Sequence, residues 1–187
     1  MKTRLSNLIP LILILILGIS GCAAPASPPA PSQPPPTPIP PTKLSPTENP
    51  RSAVVLDMVK HLNDGDAEGS LAYFADNAMI YFIGMPPTGM EIYRGKEQLR
   101  SVWNDSVSGH FKWEVAITSA DGDIVTAKAK TWHDFTRQLE VAPNEFTDIY
   151  VVKDGKITTY SSTITEDALA KFKPALAKVM PPAENPT

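Results

Sequence analysis

Apolar and polar side chains alternate along the chain in a way that predicts helices first and strands afterwards. Beyond residue 50, apolar residues at helical spacing predict a first helix that ends at residues 63–66. They predict a short second helix over 67–74 and a third over 96–107. A continuous apolar run over 79–83 predicts a buried strand between the second and third helices.

The second half of the domain has the period of two that is typical of strands. Apolar and polar residues alternate over 111–118 and again over 124–135, and two further strands over 146–152 and 157–164 flank a predicted hairpin turn. Acidic residues then open a final helix, which Pro174 can kink. Helices grouped ahead of antiparallel strands indicate an α+β fold.

The first 22 residues have a different pattern. Lys2 and Arg4 give a basic start, residues 8–19 are apolar apart from a proline and a glycine, and small residues precede Cys22. This order is typical of an export signal. The apolar run of about 12 residues is short of the roughly 20 that a transmembrane helix needs.

The residues Ile19-Ser20-Gly21-Cys22 resemble the lipobox that bacterial lipoprotein signal peptidase recognises. The resemblance implies cleavage before Cys22, diacylglycerol on its sulfur and further acylation of the new amine, and several acyl chains give lasting anchorage. Cys22 is the only cysteine, so a disulfide within the chain is excluded. We therefore expect a lipid-anchored protein of the cell envelope, with its domain on the extracytoplasmic side. Whether the membrane is inner or outer stays open.

Prolines occupy 12 of the 28 positions from 23 to 50. Proline fixes φ and lacks a backbone donor, so this segment is expected to remain an extended, disordered tether. The predicted organisation is a signal peptide over 1–21, a lipidated cysteine with proline-rich linker over 22–50, a folded domain over 51–166, and a C-terminal helix and tail over 167–187.

The net charge of the chain and the spacing of its histidines argue against two classes of function, nucleic-acid binding and metal binding. Without Lys2 and Arg4 the chain has 15 basic and 20 acidic residues, a net charge near −5, and it contains no basic run. Nucleic acid is therefore not an expected partner. The three histidines lack the spacing of a metal site, so neither a metal nor a cofactor is expected.

The order of elements resembles the cone-shaped fold of the nuclear transport factor 2-like (NTF2-like) superfamily, in which N-terminal helices pack on a curved, mostly antiparallel sheet. Its branches include ketosteroid isomerase and the SnoaL-like polyketide cyclases. The resemblance spans about residues 52 to 165 and rests on four local features: Leu62-Asn63-Asp64-Gly65-Asp66, Tyr73-Phe74-Ala75-Asp76-Asn77-Ala78, Tyr93-Arg94-Gly95-Lys96, and the late hairpin from Asp148 to Ile157.

Only part of the ketosteroid isomerase site is matched. Counting from the end of the first helix, the position of the catalytic base falls on Phe82 and that of the pocket tyrosine on Met58, whereas the position of the neutral acid is matched by Asp148. That reaction needs a base to abstract a proton. The resemblance therefore implies the fold but not this activity.

Asp148 is the strongest candidate for a functional residue. It shares a strand face with Tyr150, and on an apolar inner face its carboxyl would stay protonated and donate a hydrogen bond. His133 is predicted on the inner face of the preceding strand, near enough to form an acid–base pair with Asp148. Both residues could instead be structural. Met58, Phe82, Tyr150 and Tyr160 are the predicted pocket-lining residues.

Two functions of different class remain open. The first is a non-catalytic envelope domain that binds a small apolar ligand or a protein partner. The second is a cofactor-free isomerase, cyclase, hydrolase or dehydratase that uses Asp148, and with it His133, for acid–base chemistry. A homodimer through the outer sheet face, with Phe111, Trp113 and Val115 as the contact residues, is a further expectation.

Overall fold

The computed structural model describes residues 45–179. The predicted signal peptide, Cys22 and most of the proline-rich linker lie outside the described residues. In the described part, the elements in chain order are α1 (Pro50–Asn63), α2 (Ala67–Leu71), β1 (Phe74–Ile83), β2 (Met90–Arg94), α3 (Gly95–Ser108), β3 (Lys112–Asp121), β4 (Ile124–Trp132), α4 (Asp134–Gln138), β5 (Asn144–Lys153), β6 (Lys156–Ile164) and α5 (Glu166–Val179).

The six strands form one curved, open sheet in the order β2-β1-β6-β5-β4-β3. All neighbouring strands are antiparallel except β1 and β6, which are parallel. The helices α1, α2 and α3 pack on one face and enclose the core. The predicted α+β, NTF2-like fold with a mostly antiparallel sheet is therefore confirmed.

Helix α1 begins where the proline-rich segment ends. The Asn49 side chain accepts a hydrogen bond from the Arg51 amide (2.9 Å), and Pro50 occupies the first turn, where its missing N–H costs nothing. The Ser52 hydroxyl donates to the Pro46 carbonyl (2.5 Å), and Ser52 is fully buried. The last residues of the predicted tether thus pack against the domain.

Two interactions tie the helices to each other and to the sheet. The indole N–H of Trp103 on α3 donates to the hydroxyl of Ser70 on α2 (2.9 Å), and both residues are buried. At the end of α1, the Asn63 side chain accepts from the Trp113 amide (2.7 Å) and donates to its carbonyl (2.8 Å). Asn63 thereby satisfies backbone groups of β3, which is an edge strand.

The start of β1 differs from the sequence prediction. The second helix ends at Leu71, not at residue 74, and β1 begins at Phe74, five residues before the predicted strand over 79–83. The register between β1 and β6 shifts between Phe74 and Met79, so the extra residues form an irregular, partly exposed stretch of strand. Phe74 is buried edge-on against Trp103 and anchors this stretch.

The strand predicted over 124–135 ends at Trp132, and the chain then forms the short helix α4. His133 is the residue that caps this helix. Its ring Nδ1 accepts from the Phe135 amide (3.1 Å), while its own amide donates to the Thr136 hydroxyl (3.1 Å). These two hydrogen bonds pair backbone amides at the start of α4 that would otherwise lack acceptors. They favour a helix after Trp132 over a continued strand.

The residues predicted to form a dimer contact lie on the wrong face of the sheet. Trp113 is buried, and Phe111 and Val115 pack against the core on the same, helix-covered side. Alternation had grouped these residues correctly but cannot tell which face of the strand is covered. The outer face of β3 instead carries Lys112 and Glu114.

Candidate functional site

A cavity of about 420 Å³ lies between the inner face of the sheet and the helices α3, α4 and α5. Its walls are largely aromatic: Phe82, Trp103, Phe111, Trp113, Phe146 and Phe172. The size and lining are typical of a site for a small, mainly apolar molecule.

Asp148 is fully buried and does not itself line this cavity. Its register partner on β6 is Ser162, which lines the cavity together with the nearby Tyr160. Asp148 Oδ2 accepts a hydrogen bond from the Tyr150 hydroxyl (3.0 Å). Within the described residues, Asp148 Oδ1 has no hydrogen-bond partner.

Burial raises the pKa of Asp148 from its ordinary value of 3.8 to about 7. A carboxylate is costly where water is excluded, and the neighbouring donors of Ser162, Tyr150, Trp113 and Tyr160 offset this effect only in part. Below neutral pH the carboxyl is therefore mainly protonated and can donate as well as accept a hydrogen bond.

Two tyrosines stack beside Asp148. The rings of Tyr150 and Tyr160 lie parallel with centroids 4.8 Å apart, and Trp113 packs against Tyr160 at 5.7 Å. Burial raises the pKa of both hydroxyls well above the ordinary value, and the Asp148 charge reinforces the effect. Both tyrosines thus remain protonated donors near neutral pH.

A second polar group of the cavity wall lies on β5, four residues before Asp148. Asn144, the first residue of β5, lines the cavity and is only 2 % exposed. Within the described residues its Oδ1 has no hydrogen-bond partner. Sequence reasoning missed Asn144 because the predicted strand began two residues later, at Phe146; the inner-facing alternation with Asp148 was the signal that could have revealed it.

Glu91 and Tyr93 form a third polar feature of the cavity wall, on β2. The Tyr93 hydroxyl donates to Glu91 Oε2 (2.8 Å). Burial, together with this hydrogen bond, raises the pKa of Tyr93 to about 12. Because the two side chains satisfy each other, they offer less to a ligand than Asn144 does.

His133 is not brought next to Asp148, which corrects the predicted acid–base pair. Asp148 faces Ala127 across the sheet, whereas Asn144 faces Thr131, and His133 follows Thr131 by two residues. Four strand residues span about 13 Å, so His133 is farther than that from Asp148. It lines the cavity as the cap of α4.

Of the four predicted pocket-lining residues, two line the cavity and two belong to the core. Phe82 and Tyr160 line the cavity. Met58 and Tyr150 do not, because α1 covers the inner end of the sheet and packs both side chains into the fully buried core.

Residues 45–179 contain no group of three or more histidine, cysteine, aspartate or glutamate side chains arranged to hold a metal ion. In the same part of the chain, no helix is long and apolar enough to cross a membrane.

A curved sheet covered by N-terminal helices, with a cavity between them, defines the NTF2-like class. The SnoaL-like domain family model matches residues 55–160, more than half of the chain. The protein therefore belongs to the SnoaL-like domain family.

Solved structures support the same fold at low sequence identity. An NTF2-like protein from Cytophaga hutchinsonii has a TM-score of 0.50 and 16% identity, covering 64% of this chain and 94% of that one. The epoxide hydrolase/cyclase-like enzyme SalBIII, from pyran ring formation in salinomycin, has a TM-score of 0.51 and 20% identity, covering 66% and 97%. No curated protein has significant similarity to the chain.

Proposed function

We propose that the protein is a membrane-anchored envelope lipoprotein whose SnoaL-like domain binds a small, mainly apolar molecule without transforming it. The binding proposal rests on the aromatic cavity. The hydroxyl-bearing residues Ser162 and Tyr160 line it, and the buried carboxyl of Asp148 lies next to them. The lipobox at residues 19–22 supports the anchoring.

The cavity favours an apolar ligand with one polar oxygen at its inner end. Burial of apolar surface contributes about 25 cal/mol per Å². The Ser162 and Tyr160 hydroxyls face this space, and Asp148 lies directly behind Ser162. Asp148 is thus a positioning residue, since its protonated carboxyl can donate to one of these hydroxyls and leave that hydroxyl's own proton free for the oxygen of a ligand.

Catalysis is the second candidate function, and one observation favours it. The carboxyl of Asp148 has a pKa of about 7, so it can exchange a proton near neutral pH. The fold is also shared with SalBIII, an epoxide hydrolase/cyclase-like enzyme. Against it, Asp148 is walled off from the cavity and His133 lies too far away to serve as its acid–base partner. Binding without reaction is therefore the better-supported function.

The test is native mass spectrometry of the full-length protein, extracted from its own host in mild detergent. We expect a small molecule to remain bound. Its binding should be weakened by Asp148→Asn, which keeps the shape of the side chain but removes its titratable proton. Asp154→Asn is the matched control, because Asp154 lies in the exposed β5–β6 hairpin turn.

Three results distinguish the functions. A ligand retained by the wild type and Asp154→Asn, but depleted in Asp148→Asn, supports the proposal. A ligand that is chemically altered during incubation, with loss of this conversion in Asp148→Asn, would replace binding by catalysis. An empty wild-type cavity, or a copurifying protein in its place, would contradict small-molecule binding.

A further inference from the structure

Asn144 is a buried polar side chain that the proposed function does not use. In residues 45–179, only two buried side-chain atoms have no hydrogen-bond partner, Asn144 Oδ1 and Asp148 Oδ1. Both belong to the inner face of β5. A buried acceptor without a partner is destabilising, and most such groups in proteins are paired. Asn144 therefore needs a partner that residues 45–179 do not provide.

The position of Asn144 shows from which side a hydrogen-bond donor can approach it. Asn144 lines the cavity, as does Thr131, its register partner on β4. Thr131, His133 and Thr136 also line the cavity, but within the described residues none of them donates a hydrogen bond to Asn144 Oδ1. A donor that reaches the Asn144 carboxamide must consequently come from within the cavity.

The spacing along β5 sets the length of the ligand. Asn144 and Asp148 are four residues apart on the same face, a separation of about 13 Å. Ser162, which faces Asp148, marks the inner polar end, and Asn144 marks the outer one. Between them the wall is mainly aromatic, so the middle of the ligand should be apolar.

We propose that Asn144 recognises a hydroxyl group at the outer end of the ligand, so that the ligand is an elongated apolar molecule with a polar oxygen at each end. This inference rests on the proposed function and specifies its ligand class. A hydroxyl fits because it can donate to the carboxamide oxygen and also accept from the carboxamide nitrogen. Asn144 is thus a specificity-determining residue.

The test uses three rigid probes with the full-length protein in detergent. The first is para-acetylbiphenyl, which has one polar oxygen. The second carries an added hydroxyl at the far para position, and the third carries a methoxy group there, which can accept but not donate. Trp103 and Trp113 line the cavity, so quenching of tryptophan fluorescence reports binding.

For the wild type we expect the hydroxy probe to bind about tenfold more tightly than the other two, the typical effect of one hydrogen bond to a buried group. Asn144→Leu should remove this preference, so that the hydroxy and methoxy probes bind the variant with equal affinity. Asn104→Leu is the matched control, since Asn104 is exposed on α3, and it should keep the preference. A thermal melt of each variant confirms that it is folded.

The outcomes separate this inference from the proposed function. If acetylbiphenyl binds but the hydroxyl gives no gain over methoxy, or the gain persists in Asn144→Leu, the role of Asn144 is overturned and apolar binding stands. If no probe binds the wild type, both fail. If Asn144→Leu does not fold, the wild-type comparison of hydroxy with methoxy still decides whether a donor is recognised.

Discussion

At the scale of single residues, the buried carboxyl of Asp148 makes stability depend on pH. Its pKa of about 7 in the folded protein lies above the ordinary value of 3.8. Between these values the folded state holds a proton that the unfolded state has released. The free energy of unfolding therefore falls as pH rises from about 4 to about 7, by roughly 1.4 kcal/mol per pH unit for this group.

We expect Asp148→Asn to lose less stability than the wild type when pH rises from about 5 to about 7, because the variant lacks this titrating group. Urea unfolding at the two pH values measures the difference. Asp154→Asn makes the same chemical change on an exposed turn and should keep the wild-type slope. Equal slopes in all three proteins would show that Asp148 does not titrate in this range.

Some of the site could be predicted from single residues. Strand alternation placed Asp148, Tyr150 and Tyr160 on one covered surface, because the hairpin turn between β5 and β6 fixes their register. The depth of each residue could not be predicted, since it depends on where α1 packs. Tyr150 is consequently core, whereas Tyr160, its partner across the strands, lines the cavity.

At the scale of elements, His133 acts on helix α4 through the ring nitrogen that accepts from the Phe135 amide. We expect His133→Ala to lower the free energy of unfolding by about 0.5–2 kcal/mol, the usual cost of a lost N-cap. His133→Asn should retain most of the stability, because asparagine also caps helices. Chemical denaturation of the three proteins measures this effect, and an alanine variant as stable as the wild type would exclude a capping role.

Helix α4 and the start of β1 were the elements that sequence patterns missed. Histidine is an uncommon N-cap, and residues 124–135 continue the alternation of a strand up to the point where α4 begins. Around Asp76 and Asn77, two polar residues typical of turns lie within a strand because the register shift accommodates them. Local preference favours a turn at these two residues, but the pairing of Phe74 and Met79 with β6 on either side keeps them within β1.

At the scale of the whole molecule, the order of helices and strands was predictable because helical and strand periodicities differ strongly along the chain. The cavity was not predictable in the same way. It depends on the curvature of the sheet and on side chains from α3, α4 and α5 that are distant in sequence. Its volume follows from packing in three dimensions, which a pattern along the chain does not contain.

Anchoring is also a property of the whole molecule. We expect the wild-type protein to sediment with membranes and to incorporate labelled palmitate in its own host, whereas Cys22→Ser does neither. Ser20→Ala keeps a small residue in the lipobox and should behave as the wild type. Labelling of Cys22→Ser equal to the wild type would contradict lipidation at this cysteine.

The contacts of Arg51 have a consequence for access to the cavity. Arg51 binds Asp123 (2.8 Å) and the carbonyl of Val152, so the chain enters the domain beside the last residues of β5. Asn144 is the first residue of the same strand, about 26 Å away, and the cavity that it lines also has the exposed side chain of Phe135 in its wall. If the domain is anchored through its N-terminal segment, the end of the cavity near Asn144 would lie away from the anchor. Ligands could then enter and leave the cavity without passing the anchored side of the domain.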